Sequence, residues 1–129
     1  MMEYKSLSPN IGVRSVKDTV EFYTKTLNFQ LITSVPEEKD FVWAMVALDS
    51  VAIMFQEITS LIEEYSIVEY SEKTSLTFYI KMKGIKELYK KLQDTKYIVK
   101  ELHRTFYGID EFAIKDINGY ILTFAEDNQ

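Results

Sequence analysis

The sequence contains no cysteine, so a disulfide framework, a zinc–thiolate centre and a cysteine nucleophile are all excluded. That absence suits a reducing cytoplasm, which is the location the sequence predicts. No apolar run approaches the roughly 20 residues of a membrane helix, and the opening MMEYKSLSPN lacks the apolar stretch of a secretory signal. Positive charge is scarce: 15 Lys and Arg stand against 20 Asp and Glu, a net charge of −5. Binding to nucleic acid rests on Lys and Arg neutralising phosphates, so that partner class is set aside. There is no Gly-rich phosphate loop, and no serine falls near the one histidine in the predicted layout. What is present is a 47% hydrophobic chain of 129 residues, enough for one domain over 1–129.

The order of elements repeats. Leu7–Val13 is strand-like, and Val16, Val20, Tyr23 and Leu27 recur at helical spacing after a Ser15/Asp18 cap. Strands Phe29–Val35, Phe41–Leu48 and Val51–Gln56 follow, giving β-α-β-β-β over about 4–57. An acidic connector, about 58–74, carries Ile58, Leu61, Ile62 and Tyr65 on a short amphipathic stretch. The second module, about 75–127, repeats the order: strand Leu76–Ile80, a helix marked by Ile85, Leu88, Tyr89 and Leu92, then strands Tyr97–His103, Asp110–Lys115 and Tyr120–Ala125. VAIMFQE (51–57) lies over YILTFAE (120–126), which sets Trp43 over Phe112 and Met45 over Ile114.

Alternation along the strands divides the side chains into two faces. Pro9, Ile11, Val13, Val51, Ile53, Phe55, Leu76, Phe78, Ile80, Tyr120, Leu122 and Phe124 are large and apolar and are predicted to pack on the helices. With Asn118-Gly119 read as a two-residue loop, the opposite face holds Asn10, Phe41, Trp43, Met45, Met54, Gln56, Ser75, Thr77, Tyr79, Phe112, Ile114 and Thr123. These twelve are the predicted ligand-facing residues. The face carries no charge, which fits a cavity or an interface better than open water. The competing reading is an aromatic core that fills its own space.

Two stretches at the correct separation resemble one family. IGVRSVKDTVEFYTKTLNF is similar to the opening strand, Asp-containing turn and FY-x-x-x-L-G-F helix end of the vicinal-oxygen-chelate superfamily, with Asn28 where Gly is usual. YGIDEFAIKDINGYILTFAE resembles its closing hairpin, with Ile117 in place of the Pro of Asp-Pro-x-Gly. That group includes glyoxalase I, bleomycin-resistance proteins and extradiol dioxygenases. The resemblance implies an α+β fold of two βαβββ modules forming a cupped, mostly antiparallel sheet with helices outside, and a homodimer. The family's metal positions carry over onto Ser8, Met54, Ser75 and Thr123, none a His, Glu or Gln ligand. Hydroxyls and a thioether do not make a divalent transition-metal site. One histidine also rules out a two-His-one-carboxylate iron centre. The expectation is therefore no metal and no cofactor.

No catalytic set stands out. His103, the natural base at neutral pH, falls in LHR at a strand end and reads as a surface histidine. Glu57 and Glu126, the repeated Phe-x-Glu acids, read as solvated or helix-capping acids. Arg104, Phe106 and Tyr107 border the predicted mouth, with Gly108 as a turn residue. The first reading is a metal-independent protein of the bleomycin-resistance type that sequesters a flat, apolar or aromatic organic ligand. The alternatives are an enzyme of the same superfamily with an absent or non-standard metal site, and an interaction domain whose inner face is used up in dimerisation.

Overall fold

Ser15 fixes where the first helix begins: its hydroxyl accepts from the Asp18 amide at 3.1 Å, and α1 runs Val16–Leu27 in the computed structural model. The structure describes residues 1–71 and 73–127. They form two compact units, Met1–Tyr70 and Ser71–Gln129. Asn28 ends α1 in the left-handed conformation at φ 63°, which lets the Phe29 amide return to the Tyr23 carbonyl at 3.0 Å. Asn tolerates this backbone, so the Gly usual here is dispensable.

In the first unit β1 (Asn10–Val13), β2 (Gln30–Val35), β3 (Trp43–Leu48) and β4 (Val51–Glu57) form one sheet in the order β1-β4-β3-β2. β1 runs parallel to β4 and the other pairs are antiparallel. One sheet face packs on α1. Tyr23 is fully buried between the rings of Phe55 at 4.8 Å and Phe29 at 5.7 Å, with Ile11, Val13, Ala44, Val46 and Ile53 buried around it. Burying each large side chain is worth about 1.5–3 kcal/mol, so this layer dominates the unit's stability. The connector contains a real helix, α2 (Ile58–Glu64), capped by the Glu57 carboxylate, which accepts from the Thr59 and Ser60 amides.

The second unit repeats the plan with β5 (Thr77–Lys81), α3 (Ile85–Leu92), β6 (Ile98–Arg104), β7 (Ile109–Lys115) and β8 (Ile121–Asp127), in the order β5-β8-β7-β6. Glu126 reaches back to the start of α3, accepting from the Gly84 and Ile85 amides at 3.0 and 2.9 Å. Both Phe-x-Glu acids are thus helix caps, one of the roles read from sequence. The chain is α+β, two βαβββ units.

Every strand start but that of β4 differs from expectation, those of β2, β6, β7 and β8 by a single residue. β1 begins at Asn10 rather than Leu7, β3 at Trp43 rather than Phe41, and β5 at Thr77 rather than Leu76. Leu76, expected in the core, is 46% exposed because it precedes the ladder.

The larger difference is in the last hairpin. Asp116 and Tyr120 close it, the Asp116 amide donating to the Tyr120 carbonyl, so the loop is Ile117-Asn118-Gly119. A two-residue Asn-Gly turn of the favoured hairpin type needs positive φ at both residues; only Gly119 has it, at 91°. The buried Asp116 carboxylate holds the wider loop by accepting from the Asn118 and Tyr120 amides, each at 2.9 Å. The added residue slides β7 by one position, and a slide of one turns every side chain over. Phe112 therefore pairs with Phe124 and Ile114 with Leu122. Phe112 is 0% exposed, between the Tyr89 ring of α3 at 5.1 Å and Phe124 at 5.2 Å. Phe112 and Ile114, expected on the ligand-facing side, belong to the helix-side core.

Candidate functional site

Each unit has a sheet face that its βαβββ helix does not cover. In the first unit the register sets Asn10, Met54, Met45 and Thr33 in one row across the strands, and Gly12, Gln56, Trp43 and Val35 in the next. Ala52, Ala47 and Gln30 form a third. No residue in these rows is charged, as the alternation predicted for this half. Trp43, Met45 and Met54 are half-buried. The Asn10 amide donates to Gln56 Oε1 at 2.9 Å. Gln56 Nε2 donates to Ser60 Oγ at 3.0 Å and Glu64 Oε1 at 3.1 Å, so its amide is committed to holding α2. α2 covers the Gly12 end of the face. A Cβ on Gly12 would lie 2.6 Å from Ile58 Cδ1 and 3.1 Å from Leu61 Cδ2; the missing side chain is what lets the helix approach.

Phe41 lies ahead of β3 and is half-buried; Ser75 is exposed ahead of β5. Neither belongs to a strand. Thr77, Tyr79 and Thr123 do lie on the open face of the second unit, Thr77 paired with Ile121 and Tyr79 with Thr123. The slide in β7 changes their company. Glu111, Ala113 and Lys115 replace Phe112 and Ile114, pairing with Ala125, Thr123 and Ile121. Trp43 of the first unit thus corresponds to Glu111, since each pairs with the matched positions Gln56 and Ala125. Lys81 pairs with Ala125 and Lys100 with Ala113, so the second face, expected to be uncharged, carries both signs.

Glu111 is the centre of this face. It is 8% exposed, and two phenols donate to the same oxygen: Tyr79 to Oε2 at 2.6 Å and Tyr107 to Oε2 at 3.1 Å. The β6–β7 turn places Tyr107. Thr105 and Ile109 bond through backbone and through Thr105 Oγ1, and Gly108 turns the chain at φ 86°. A phenolate beside that carboxylate is disfavoured, so donation to Glu111 and then burial push the Tyr79 pKa up to about 12, and Tyr107 moves up for the same first reason. Both stay protonated donors at neutral pH. His103 pairs with Glu111 across the ladder, and its Nδ1 is 2.9 Å from the Glu101 carbonyl oxygen. Arg104 forms an ion pair at 2.9 Å with the buried Asp110, strand neighbour of Glu111.

Sequence reasoning missed Glu111. The signal that could have found it is Asp116 one residue before Ile-Asn-Gly: an Asx acceptor followed by a single obligatory positive φ points to the three-residue loop.

The positions onto which a metal site would carry over do not fit one. Ser8 and Ser75 lie outside the strands, Met54 pairs with Asn10 and Met45, and Thr123 pairs with Tyr79 and Ala113. Neutral oxygens and one thioether do not supply the imidazole or carboxylate field a divalent transition metal needs. Among the described residues no group of three or more His, Cys, Asp or Glu is arranged to hold a metal ion. No helix among them is long and apolar enough to cross a membrane.

Comparison with known proteins agrees with this architecture. The family model described as Glyoxalase/Bleomycin resistance protein/Dioxygenase superfamily matches residues 7–124. Among solved structures, TioX from Micromonospora sp. ML1 is similar with a TM-score of 0.78 at 14% identity, covering 95% of this chain and 98% of that one. Hypothetical protein SA1046 from S. aureus has a TM-score of 0.76 at 17% identity, covering 97% and 95%. A glyoxalase/bleomycin resistance protein/dioxygenase from Nocardioides has a TM-score of 0.72 at 14% identity, covering 98% and 85%. At these identities the likeness is one of fold. No curated protein matches the chain.

Proposed function

Because the chain belongs to the Glyoxalase/Bleomycin resistance protein/Dioxygenase superfamily, we propose that it is a metal-independent member that binds a flat, mainly apolar organic ligand on an uncovered sheet face and makes or breaks no bond in it. The observation that carries this reading is the first unit's face, where half-buried Trp43, Met45 and Met54 stand together without a charged neighbour in the ladder. An aromatic ring and two thioethers suit a planar guest through stacking and sulfur contacts. Covering roughly 200 Å² of apolar surface is worth about 5 kcal/mol before the costs of immobilising the ligand. The unfit donor set supports metal independence. The reading includes a cytoplasmic homodimer, which light scattering tests.

Trp43 is the sole tryptophan, so its emission reports on this face. Titration with planar aromatic compounds, in chelator and again with added zinc or nickel, is expected to change that emission equally in both conditions. Binding that needs the metal, or no response from any compound, overturns the reading. One observation favours a second reading, a metal-free lyase or isomerase: the Tyr79–Glu111–Tyr107 cluster gives the second face an acid and two proton donors. Turnover with a pH–rate profile lost in Glu111→Gln supports it; a flat profile counts against it.

A further inference from the structure

Glu111 poses a problem of charge. It is 8% exposed, and its hydrogen-bond partners among the described residues are the Tyr79 and Tyr107 hydroxyls alone, both on Oε2. Two neutral donors stabilise a carboxylate without cancelling its charge, and a carboxylate removed from water calls for a cation. Four basic side chains share the face. His103 pairs with Glu111 in the ladder, Lys81 lies one strand beyond across Ala125, Lys100 is opposite Ala113 and Lys115 is opposite Ile121. None forms an ion pair with Glu111, and the three lysines are exposed. The Oε1 oxygen therefore has its accepting capacity intact on a sheet face that α3 does not cover. Tyr79 and Tyr107, each a residue 52% exposed, flank it, and Phe106 stands edge-on to Tyr107 at 4.8 Å. Rings around a carboxylate make a surface that takes a cation on both counts, by charge-assisted hydrogen bond and through the ring faces.

We propose that Glu111, between Tyr79 and Tyr107, is the recognition point for an organic ammonium group carried by the ligand. This rests on the reading of the protein as a small-molecule binder and adds the charge of what it binds. The ammonium donates to Glu111 Oε1, the phenols hold the carboxylate in place through Oε2, and the rings bury the carbon framework next to the charge. Neutral guests of the same shape forgo the ionic contact and leave the carboxylate uncompensated.

The test uses near-isosteric pairs that differ in charge: benzylamine with benzyl alcohol, and 2-naphthylmethylamine with 2-naphthylmethanol. Each is titrated calorimetrically into the full chain at neutral pH and low salt, with amide shifts recorded on isotope-labelled protein. The expected result is that each amine binds about tenfold or more tighter than its alcohol, the factor that about 1.4 kcal/mol represents. Shifts centre on Glu111 and Thr123, and the ratio falls to about twofold or less in Glu111→Gln, whose amide oxygen still accepts from the phenols. Equal binding of amine and alcohol, or an amine preference that survives Glu111→Gln, overturns the ammonium site and leaves the binding function standing. Binding by neither member of either pair overturns both. Should Glu111→Gln not fold, the wild-type ratio and the position of the shifts decide the matter.

Discussion

Replacing Phe112 by Ala tests the hairpin register through stability. The ring is fully buried against Tyr89 and Phe124, and its partner in the ladder is Phe124 itself. Truncating a buried Phe to Ala removes the transfer free energy of the ring and leaves a cavity, together about 3–5 kcal/mol. That is a large share of the about 5–15 kcal/mol that holds a typical domain together. With a urea slope of about 2 kcal/mol per M, the midpoint falls by roughly 2 M. Thr123→Ala is the companion substitution. Thr123 is half-buried on the open face of the same unit, and its loss is expected to cost no more than about 0.5 kcal/mol. Equilibrium urea unfolding followed by circular dichroism reads both. If Phe112 lay on the open face the order would reverse in kind: Phe112→Ala would cost less than about 1 kcal/mol and would act on ligand binding instead. That result would refute the register and with it the position of Glu111.

Four further outcomes follow from the same geometry. An ultraviolet tyrosine titration is expected to show one phenol, Tyr79, ionising near pH 12 rather than 10, and Glu111→Gln to return it toward 10. The folded-state pKa is raised, so the Tyr79 contribution to stability is complete below about pH 10 and is lost as pH rises towards 12; unfolding curves across that window give the sign. Glu126→Ala removes the acceptor for the Gly84 and Ile85 amides and is expected to cost about 0.5–2 kcal/mol in denaturant unfolding, with fraying at the start of α3 in amide exchange. At Gly12, Ala meets only the flexible ends of Ile58 and Leu61 and costs less than about 1 kcal/mol, whereas Val displaces α2 at about 1–3 kcal/mol; proteolysis within α2 distinguishes the two.

Much of the fold was legible because it rests on periodicity. The apolar spacing of α1 and α3, the alternation in β1, β3 and β4, and the matched VAIMFQE and YILTFAE strands each depend on local sequence alone. The uncharged face of the first unit followed from the same rule, since its hairpin turns through the two residues Asp49-Ser50 with Leu48 opposite Val51. In the second unit the rule was sound and its phase was wrong. Asn-Gly serves a two-residue or a three-residue loop, and the choice lies in the Asp116 carboxylate, a local acceptor for the Asn118 and Tyr120 amides that is worth one residue of register. That one residue exchanged Phe112 and Ile114 for Glu111 and Ala113. The Tyr79–Glu111 hydrogen bond joins residues on strands that are not adjacent in sequence, so no spacing rule could announce it. Gln56, expected to orient a ligand, is instead spent on α2, because the connector helix that claims it was read only as a short amphipathic stretch.

Which side chains of β7 look away from α3 is read directly by a nuclear Overhauser spectrum of labelled protein. Contacts from the Phe112 ring to Tyr89 and Phe124, together with contacts from the Tyr79 ring to the Glu111 methylenes, are the predicted pattern. Contacts from Phe112 to the Tyr79 ring, with Glu111 near α3, would contradict it.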